Sequence, residues 1–257
     1  MKGARRRSRC PSYKPVKPVR PNYDEEYVAH LFDQMGSSYD VVNLVSSFGF
    51  SEIWRAQCVR NLAIFQGAVV VDLMAGSGEC WPYLRRRIEP RGKILSLDFS
   101  HAMCSRQKLR LTRFSGMDVK IFCENALTSS LSDKSVDFVV SAFGLKTLDD
   151  VSFGRLAAEM HRVLRSGGSC SFLEISLPKN ALLRVPYLFY IKRLIPLIGR
   201  IFLKNIECYK MLGVYTEAFG SCEGAVVEHF RKAGFRVQMK THMFGCASSI
   251  FATKLTD

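Results

Sequence analysis

Two hydrophobic periods divide the chain. From about residue 24, apolar positions in YDEEYVAHLFDQMGSSYDVVNLVSSFGFSEIWRAQCVRNL recur at helical spacing and predict amino-terminal helices. Short apolar runs and amphipathic segments then alternate. AVVVDLM, GKILSLD, VKIFCEN, VDFVVSAFG and SCSFLEISL read as buried strands. CWPYLRRRIE, AMCSRQKLRLTRF and SFGRLAAEMHRVLR read as helices, the last ended by Gly167 and Gly168. A further helix, EGAVVEHFRKAGF, precedes two more strands, RVQMKTHMF and SSIFATKL. This order predicts an α/β domain with a mostly parallel seven-stranded sheet covered on both faces. The last two strands form a hairpin, which predicts an antiparallel edge strand.

Charge separates a tail from this domain. Residues 1–23 carry Lys2, Arg5, Arg6, Arg7, Arg9, Lys14, Lys17 and Arg20 and no acid, so they hold 8 of the +14 net charge. Pro11, Pro15, Pro18 and Pro21 forbid a continuous helix there. The expectation is a disordered basic tail over 1–23 and a single domain over 24–257. The tail offers peripheral contact with anionic lipid, and organelle targeting stays open. The domain itself carries only +6, and no basic and aromatic platform stands out, which argues against nucleic acid. Nine scattered cysteines without a CxxC pair argue against a disulfide framework and against a metal site. A reducing intracellular home follows, cytoplasmic or peripheral to a membrane. A homodimer is left open.

Candidate chemistry concentrates at strand ends, where parallel sheets bind ligands. The stretch after the first strand, DLMAGSGEC, places Gly76 and Gly78 so that backbone and ligand can approach closely. Position 81 is Trp, not the third glycine of a nicotinamide fingerprint, and no phosphate loop is present. Asp98 ends the second strand 20 residues after Gly78 and suits ribose hydroxyls. Asn125 ends the third strand, where its amide can read an adenine edge. Each has a structural alternative: a tight turn for the glycines, a helix cap for Asp98, a turn for Asn125. Together they outline adenosine without phosphates, which fits S-adenosylmethionine.

At these residues the chain resembles a class I S-adenosylmethionine-dependent methyltransferase. SDKSVDFVVSAFGL and EMHRVLRSGGSCSFLE are similar to later segments of that Rossmann-like fold. FDQMGSSYDVVNLVSSFGFSEIWR, AFGLKTLDD, LEISLP and YKML resemble signatures of the UbiE family of ubiquinone and menaquinone C-methyltransferases. The resemblance implies a cofactor site of Tyr39, Asp72, Ala75, Gly76, Gly78, Asp98, Phe99, Asn125, Ala126 and Ser141. It also implies amino-terminal helices, with Tyr39 and Asn43, folding over the cofactor. Glu79, Asp40 and Lys146 are the catalytic candidates, whereas His161 reads as structural. Departures fall mostly on the acceptor side. The family's FG[LI]RN is Phe143-Gly144-Leu145-Lys146-Thr147 here, so the planar guanidinium fork and the amide are both gone. Met74 and Ala75 replace smaller residues, and Glu79 replaces Asp.

After the fifth strand, a helical cap over about 179–220 is apolar and aromatic with interspersed cations. It predicts a lipophilic small-molecule acceptor, with a prenylated quinone precursor as first choice, and peripheral membrane contact through the cap and tail. Two alternatives stand beside this. One is methylation of another apolar aromatic or isoprenoid metabolite. The other is a membrane-associated binding or assembly protein with a degenerate cofactor site, prompted by Met74.

Overall fold

The computed structural model describes residues 20–35, 39–114, 116–202 and 207–256. Three helices come first: α1 (Glu25–Met35), α2 (Tyr39–Ser46) and α3 (Phe50–Arg60). Then β1 (Val69–Leu73), α4 (Trp81–Ile88), β2 (Lys93–Asp98), α5 (His101–Leu111), β3 (Asp118–Cys123), β4 (Val136–Ala142), α6 (Asp150–Val163) and β5 (Leu164–Ile175) alternate. The cap holds α7 (Ala181–Phe189), a π-helical turn at Tyr190–Leu194, and α8 (Ile195–Phe202). The chain ends with α9 (Glu207–Lys232), β6 (Phe235–His242) and β7 (Ala247–Lys254).

Period-two alternation within the strands builds a core on each face of the sheet. Val71 and Leu73 of β1 point to the side packed by Phe153, Leu156 and Met160 of α6 and Phe230 of α9. Val70 points to the other side, against Trp81, Leu84 and Ile88 of α4 and Val59 of α3. Local chemistry fixes the helix starts. Ser100 caps α5 by accepting from Met103 N at 3.1 Å, and Asp149 caps α6 by accepting from Ser152 N at 2.9 Å. Pro82 sits in the first turn of α4, where no intrahelical N–H is needed.

The sheet order is β3-β2-β1-β4-β5-β7-β6. The expected seven strands and parallel body are present, but the reversed strand is not at the edge. β7 inserts between β5 and β6 and runs antiparallel to both, so β6 is outermost and runs with the parallel set. The reason is burial. Six of the eight residues of β7 are buried and the other two partly buried, whereas β6 exposes five of its eight positions. The glycines expected to end α6 do not do so. The helix stops at Val163, and Gly167 (φ +75) and Gly168 form an irregular opening to β5, where the pairing with β4 shifts register.

The basic tail lies outside the described residues up to position 19. Its last residues pack on the domain: Tyr215 Oη donates to the Asn22 carbonyl, and the Tyr23 and Tyr215 rings are 5.6 Å apart. Composition alone had assigned Asn22 and Tyr23 to the tail.

Trp81 shows what replaces a third glycine. Its indole is fully buried and donates to Ser96 Oγ at 3.3 Å, pinning α4 to β2. The ring lies over Gly78 so closely that a Cβ there would stand 2.7 Å from it, and Gly78 has φ +85. Gly78→Ala therefore lowers the unfolding free energy by about 1–3 kcal/mol in urea denaturation; a loss under about 0.5 kcal/mol would show that Trp81 is free to move.

Candidate active site

The loop from β1 to α4 is clamped by the strand beside it. Gly76 N donates to Asp98 Oδ2 at 2.8 Å, Ser100 N donates to Asp98 Oδ1 at 2.9 Å, and Gln107 Nε2 donates to the Gly76 carbonyl at 2.8 Å. Gly76 needs its positive φ of 57 for this turn, and Met74 adopts φ 52 although it has a side chain. Each Asp98 oxygen keeps a further lone pair for a hydroxyl donor. Burial pushes the Asp98 carboxyl up to about 6, against the pull of the two backbone N–H groups.

Two recesses meet at this carboxylate. One is bordered by Asp98, Phe99, Asn125, Ala126 and Leu127, and the other by Ala75, Gly76, Glu79, Arg55 and Phe143; both include Met74, Asp98, Phe99 and Thr147. Asn125 Oδ1 accepts from Leu127 N at 2.8 Å, so the turn role is filled while the NH₂ stays available to a ligand. Asp72 and Ser141 end neighbouring strands, and Asp72 Oδ2 and Ser141 Oγ are buried with no hydrogen-bond partner. Burial holds the Asp72 carboxyl well above the usual range, and the Glu79 and Asp98 charges push it the same way. Such a group is satisfied by an arriving cation, as the α-ammonium of S-adenosylmethionine is. The donor set thus fits that cofactor: a carboxylate for ribose, an amide at the adenine side, and buried acceptors for the amino-acid end.

Arg55 was not among the site residues expected from the sequence. It is buried, borders the cleft, and lies 5.1 Å over the Phe143 ring, with Glu52 Oε1 at 2.5 Å and Glu79 Oε1 at 4.0 Å. A guanidinium here can meet a cofactor carboxylate. Its only sequence signal was a basic residue among apolar positions of a helix, which spacing alone does not resolve.

Beyond Phe143 lies a second cavity of about 290 Å³ beneath the cap, bounded by α2, α3, the π-helical turn and α9. Its walls are largely apolar and aromatic, including Trp54, Tyr187, Ile191 and Tyr209, and Phe143 borders both it and the cleft. Lys146 stands at its floor, buried. Its Nζ donates to Glu174 Oε1 at 3.1 Å and to the Phe143 carbonyl, leaving one N–H for a ligand. Thr147 Oγ1 donates to the Gly144 carbonyl at 2.7 Å. The structure thus separates two expected catalytic partners: Lys146 borders the acceptor-side cavity, and Glu79 borders only the cleft. Tyr39 and Asp40 open α2, and their side chains lie outside the described residues; Asn43 of that helix lines the cavity. His161 meets Phe235 edge-on with ring centroids 5.8 Å apart, and borders neither cavity.

This fold is that of class I methyltransferases. A SAM dependent methyltransferase from Aquifex aeolicus superposes with TM-score 0.59 at 16% identity, covering 84% of this chain and 98% of that one. A possible histamine N-methyltransferase from Thermotoga maritima gives TM-score 0.59 at 22% identity, covering 88% and 99%. The family is fixed by sequence: residues 21–254 match the ubiE/COQ5 methyltransferase family, and the chain belongs to it. It is similar to the demethylmenaquinone methyltransferase of Lactococcus lactis subsp. lactis (strain IL1403), with 31% identity over 233 residues, 90% of this chain and 91% of the relative. The enzyme of that name from Bacillus cereus (strain ATCC 10987 / NRS 248) is 31% identical over 225 residues, 87% of this chain and 94% of the relative. The chain is an S-adenosylmethionine-dependent methyltransferase.

Two outcomes test Asp98. Asp98→Ala removes acceptors for ribose and for Gly76 N, so calorimetry should show S-adenosylmethionine binding roughly 10- to 100-fold weaker, in a protein that also melts lower. In the wild type, the raised Asp98 pKa of about 6 sets the pH window. Ribose hydroxyls need the ionised form, so affinity holds above that pH and falls below it, toward about tenfold per pH unit. Flat affinity from pH 7 to 5 would remove Asp98 from the cofactor site.

Proposed function

We propose that this enzyme C-methylates a prenylated aromatic ring of the quinone-precursor class, with a ring hydroxyl turned toward Lys146. One observation carries the reading: an apolar cavity with a single buried ammonium at its floor adjoins the cofactor cleft across Phe143. The names of the relatives at 31% identity point to the same acceptor class.

The cofactor would be held by Asp98 at the ribose, by Phe99, Asn125 and Ala126 around the adenine, and by Arg55, Asp72 and Ser141 at the amino-acid end. When bound, it supplies a sulfonium methyl open to in-line attack. The chain's residues raise the nucleophilicity of the acceptor carbon and align it. The Lys146 ammonium stabilises a ring oxygen as an anion, which enriches the adjacent carbon. Apolar walls exclude water and hold the ring against Phe143. Glu79, beside Arg55, orients that guanidinium rather than serving the acceptor. Asp40 remains the candidate base for the ring proton, supported by its place on the helix that supplies Asn43 to the cavity.

Thr147 favours a second reading, in which the acceptor is another apolar phenol or isoprenoid. Thr147 borders the two recesses beside Asp98 rather than the apolar cavity, and its hydroxyl is committed to the Gly144 carbonyl, so it offers no amide where the cleft meets the acceptor side. Purified enzyme with S-adenosylmethionine and a short-chain demethylmenaquinol should give one methyl on a ring carbon by mass spectrometry and NMR. Methylation at oxygen, or none, rejects the first reading; gain of ring methylation in Lys146→Arg/Thr147→Asn would then assign acceptor choice to these two positions.

Lys146 itself is tested without leaving a buried charge unpaired. Lys146→Gln with Glu174→Gln keeps a hydrogen-bonded pair but removes both charges. We expect kcat to fall roughly 10²-fold while cofactor affinity holds. An unchanged kcat would exclude electrostatic activation by Lys146.

A further inference from the structure

We infer that the cap and α2 form a membrane-docking face, which seats on an anionic phospholipid bilayer and opens the apolar cavity toward it. The inference deepens the proposed function, because it gives a lipophilic acceptor its route to Lys146.

The starting observation is α7, a nine-residue helix with no buried residue. Leu182, Val185 and Phe189, at spacings of three and four, form one stripe that faces solvent. The opposite side carries Tyr187, whose hydroxyl donates to the Cys246 carbonyl at 2.9 Å, followed by Tyr190, which donates to the Ser46 carbonyl. Inward contacts thus hold the helix, and they do not explain an apolar outer stripe.

The stripe continues around the cavity mouth. Among the residues lining the cavity, only Phe48 and Met243 are exposed, so the mouth lies between them. Phe48 is 79% exposed and stacks on Tyr190. Phe244, beside Met243, is 86% exposed, and Leu182 is 84% exposed. Val41, Leu44 and Val45 of α2, on the Phe48 side, are each close to half exposed. Single exposed apolar residues are ordinary, but a group this size around one opening marks an interaction surface.

Charge selects the occupant. Between Glu174 and Glu207 the sequence has no acid and carries Lys179, Arg184, Lys192, Arg193, Arg200 and Lys204. Lys192 is paired with Glu217 at 2.5 Å, while Lys179, Arg184, Arg193 and Arg200 are exposed. Apolar side chains flanked by these exposed cations, on a cap segment that contributes no acid of its own, complement the acyl boundary and the phosphates of an anionic leaflet. Among the described residues no helix is long and apolar enough to cross a membrane, so the contact is peripheral.

The test uses the full chain, tail included, and vesicles without acceptor. Wild type should co-sediment with phosphatidylcholine vesicles containing about one-third phosphatidylglycerol, less with phosphatidylcholine alone, and less as salt rises. Leu182→Gln/Phe189→Gln/Phe244→Gln touches neither cavity and should lower the partition coefficient by roughly tenfold or more with an unchanged melting temperature. Methyl transfer to a short-chain acceptor in solution should be equal in both proteins, and transfer to a long-chain acceptor embedded in vesicles should fall with binding. Equal vesicle binding by the triple variant would overturn the inference and assign any binding to the tail or another face. So would the absence of wild-type binding, or a wild-type dimer in sedimentation velocity that the variant loses, which would give the face to a second copy. Should neither protein methylate the soluble acceptor, the proposed function fails while the vesicle result still decides the docking face.

Discussion

Lys146 and Glu174 face each other at 3.1 Å across the ends of β4 and β5, both almost fully buried. An ion pair in that setting adds little net stability, yet removing either partner strands a charge at a cost of about 3–5 kcal/mol. Its effect is on geometry. Glu174 Oε2 also accepts from Lys146 N at 3.0 Å, and the Lys146 ammonium reaches the Phe143 carbonyl. The turn from Phe143 to Thr147 is thereby locked to β5. Phe143 is held at φ 68, a conformation a large side chain avoids, with its N–H donating to the Leu173 carbonyl at 2.7 Å. Because that backbone is fixed, the Phe143 ring stands where cleft and cavity meet, under the Arg55 guanidinium.

The two sides of that ring have opposite electrostatics. The cleft holds Glu79 and Asp98 with the buried Asp72 beside them; burial raises the Asp72 and Asp98 carboxyls, and the Glu79 and Asp98 charges raise Asp72 further. Such a site favours a cationic ligand, which relieves the repulsion as it binds. The cavity side has apolar walls and one ammonium, which favours an oxyanion. A sulfonium on one side and an electron-rich ring on the other are therefore each drawn to their own compartment, and the boundary between them is where a methyl group would cross.

The sheet was legible in the sequence because buried strands between amphipathic helices leave a strong periodic signal, as VVVDL and KILSLD do. The place of β7 was not, since which strand pairs with β5 is decided by long-range burial and not by either strand's own pattern. Gly167 and Gly168 misled for a related reason: a glycine pair after a helix fits a cap and a strand opening equally, and only the register between β4 and β5 separates them. The positions of Asp98 and Asn125 beside the cleft were readable because strand ends and intervals fix them. The place of Arg55 in the cleft was not, because it depends on α3 turning a cation inward over Phe143, and helical spacing gives no hint of that.

Departures from the resembled family pattern fall on both sides of Phe143, with Met74, Ala75, Glu79 and Thr147 in the cleft and Lys146 at the cavity, and for the Lys146-Thr147 pair the structure gives a physical reason why the exchange is tolerated. Cofactor-side residues are interlocked: Asp98 holds Gly76 and Ser100, Gln107 holds Gly76, and Trp81 covers Gly78. A change at one of them disturbs several contacts at once. Thr147 satisfies its hydroxyl within its own turn, through the Gly144 carbonyl, and Lys146 keeps a charge that Glu174 requires. Exchanging Arg–Asn for Lys–Thr therefore leaves no buried group unpaired and costs the fold little. What it changes is the set of hydrogen bonds on offer: one ammonium N–H at the cavity in place of a planar fork, and no amide beside the cleft. Acceptor choice can drift under those conditions while the fold and the cofactor site stay fixed.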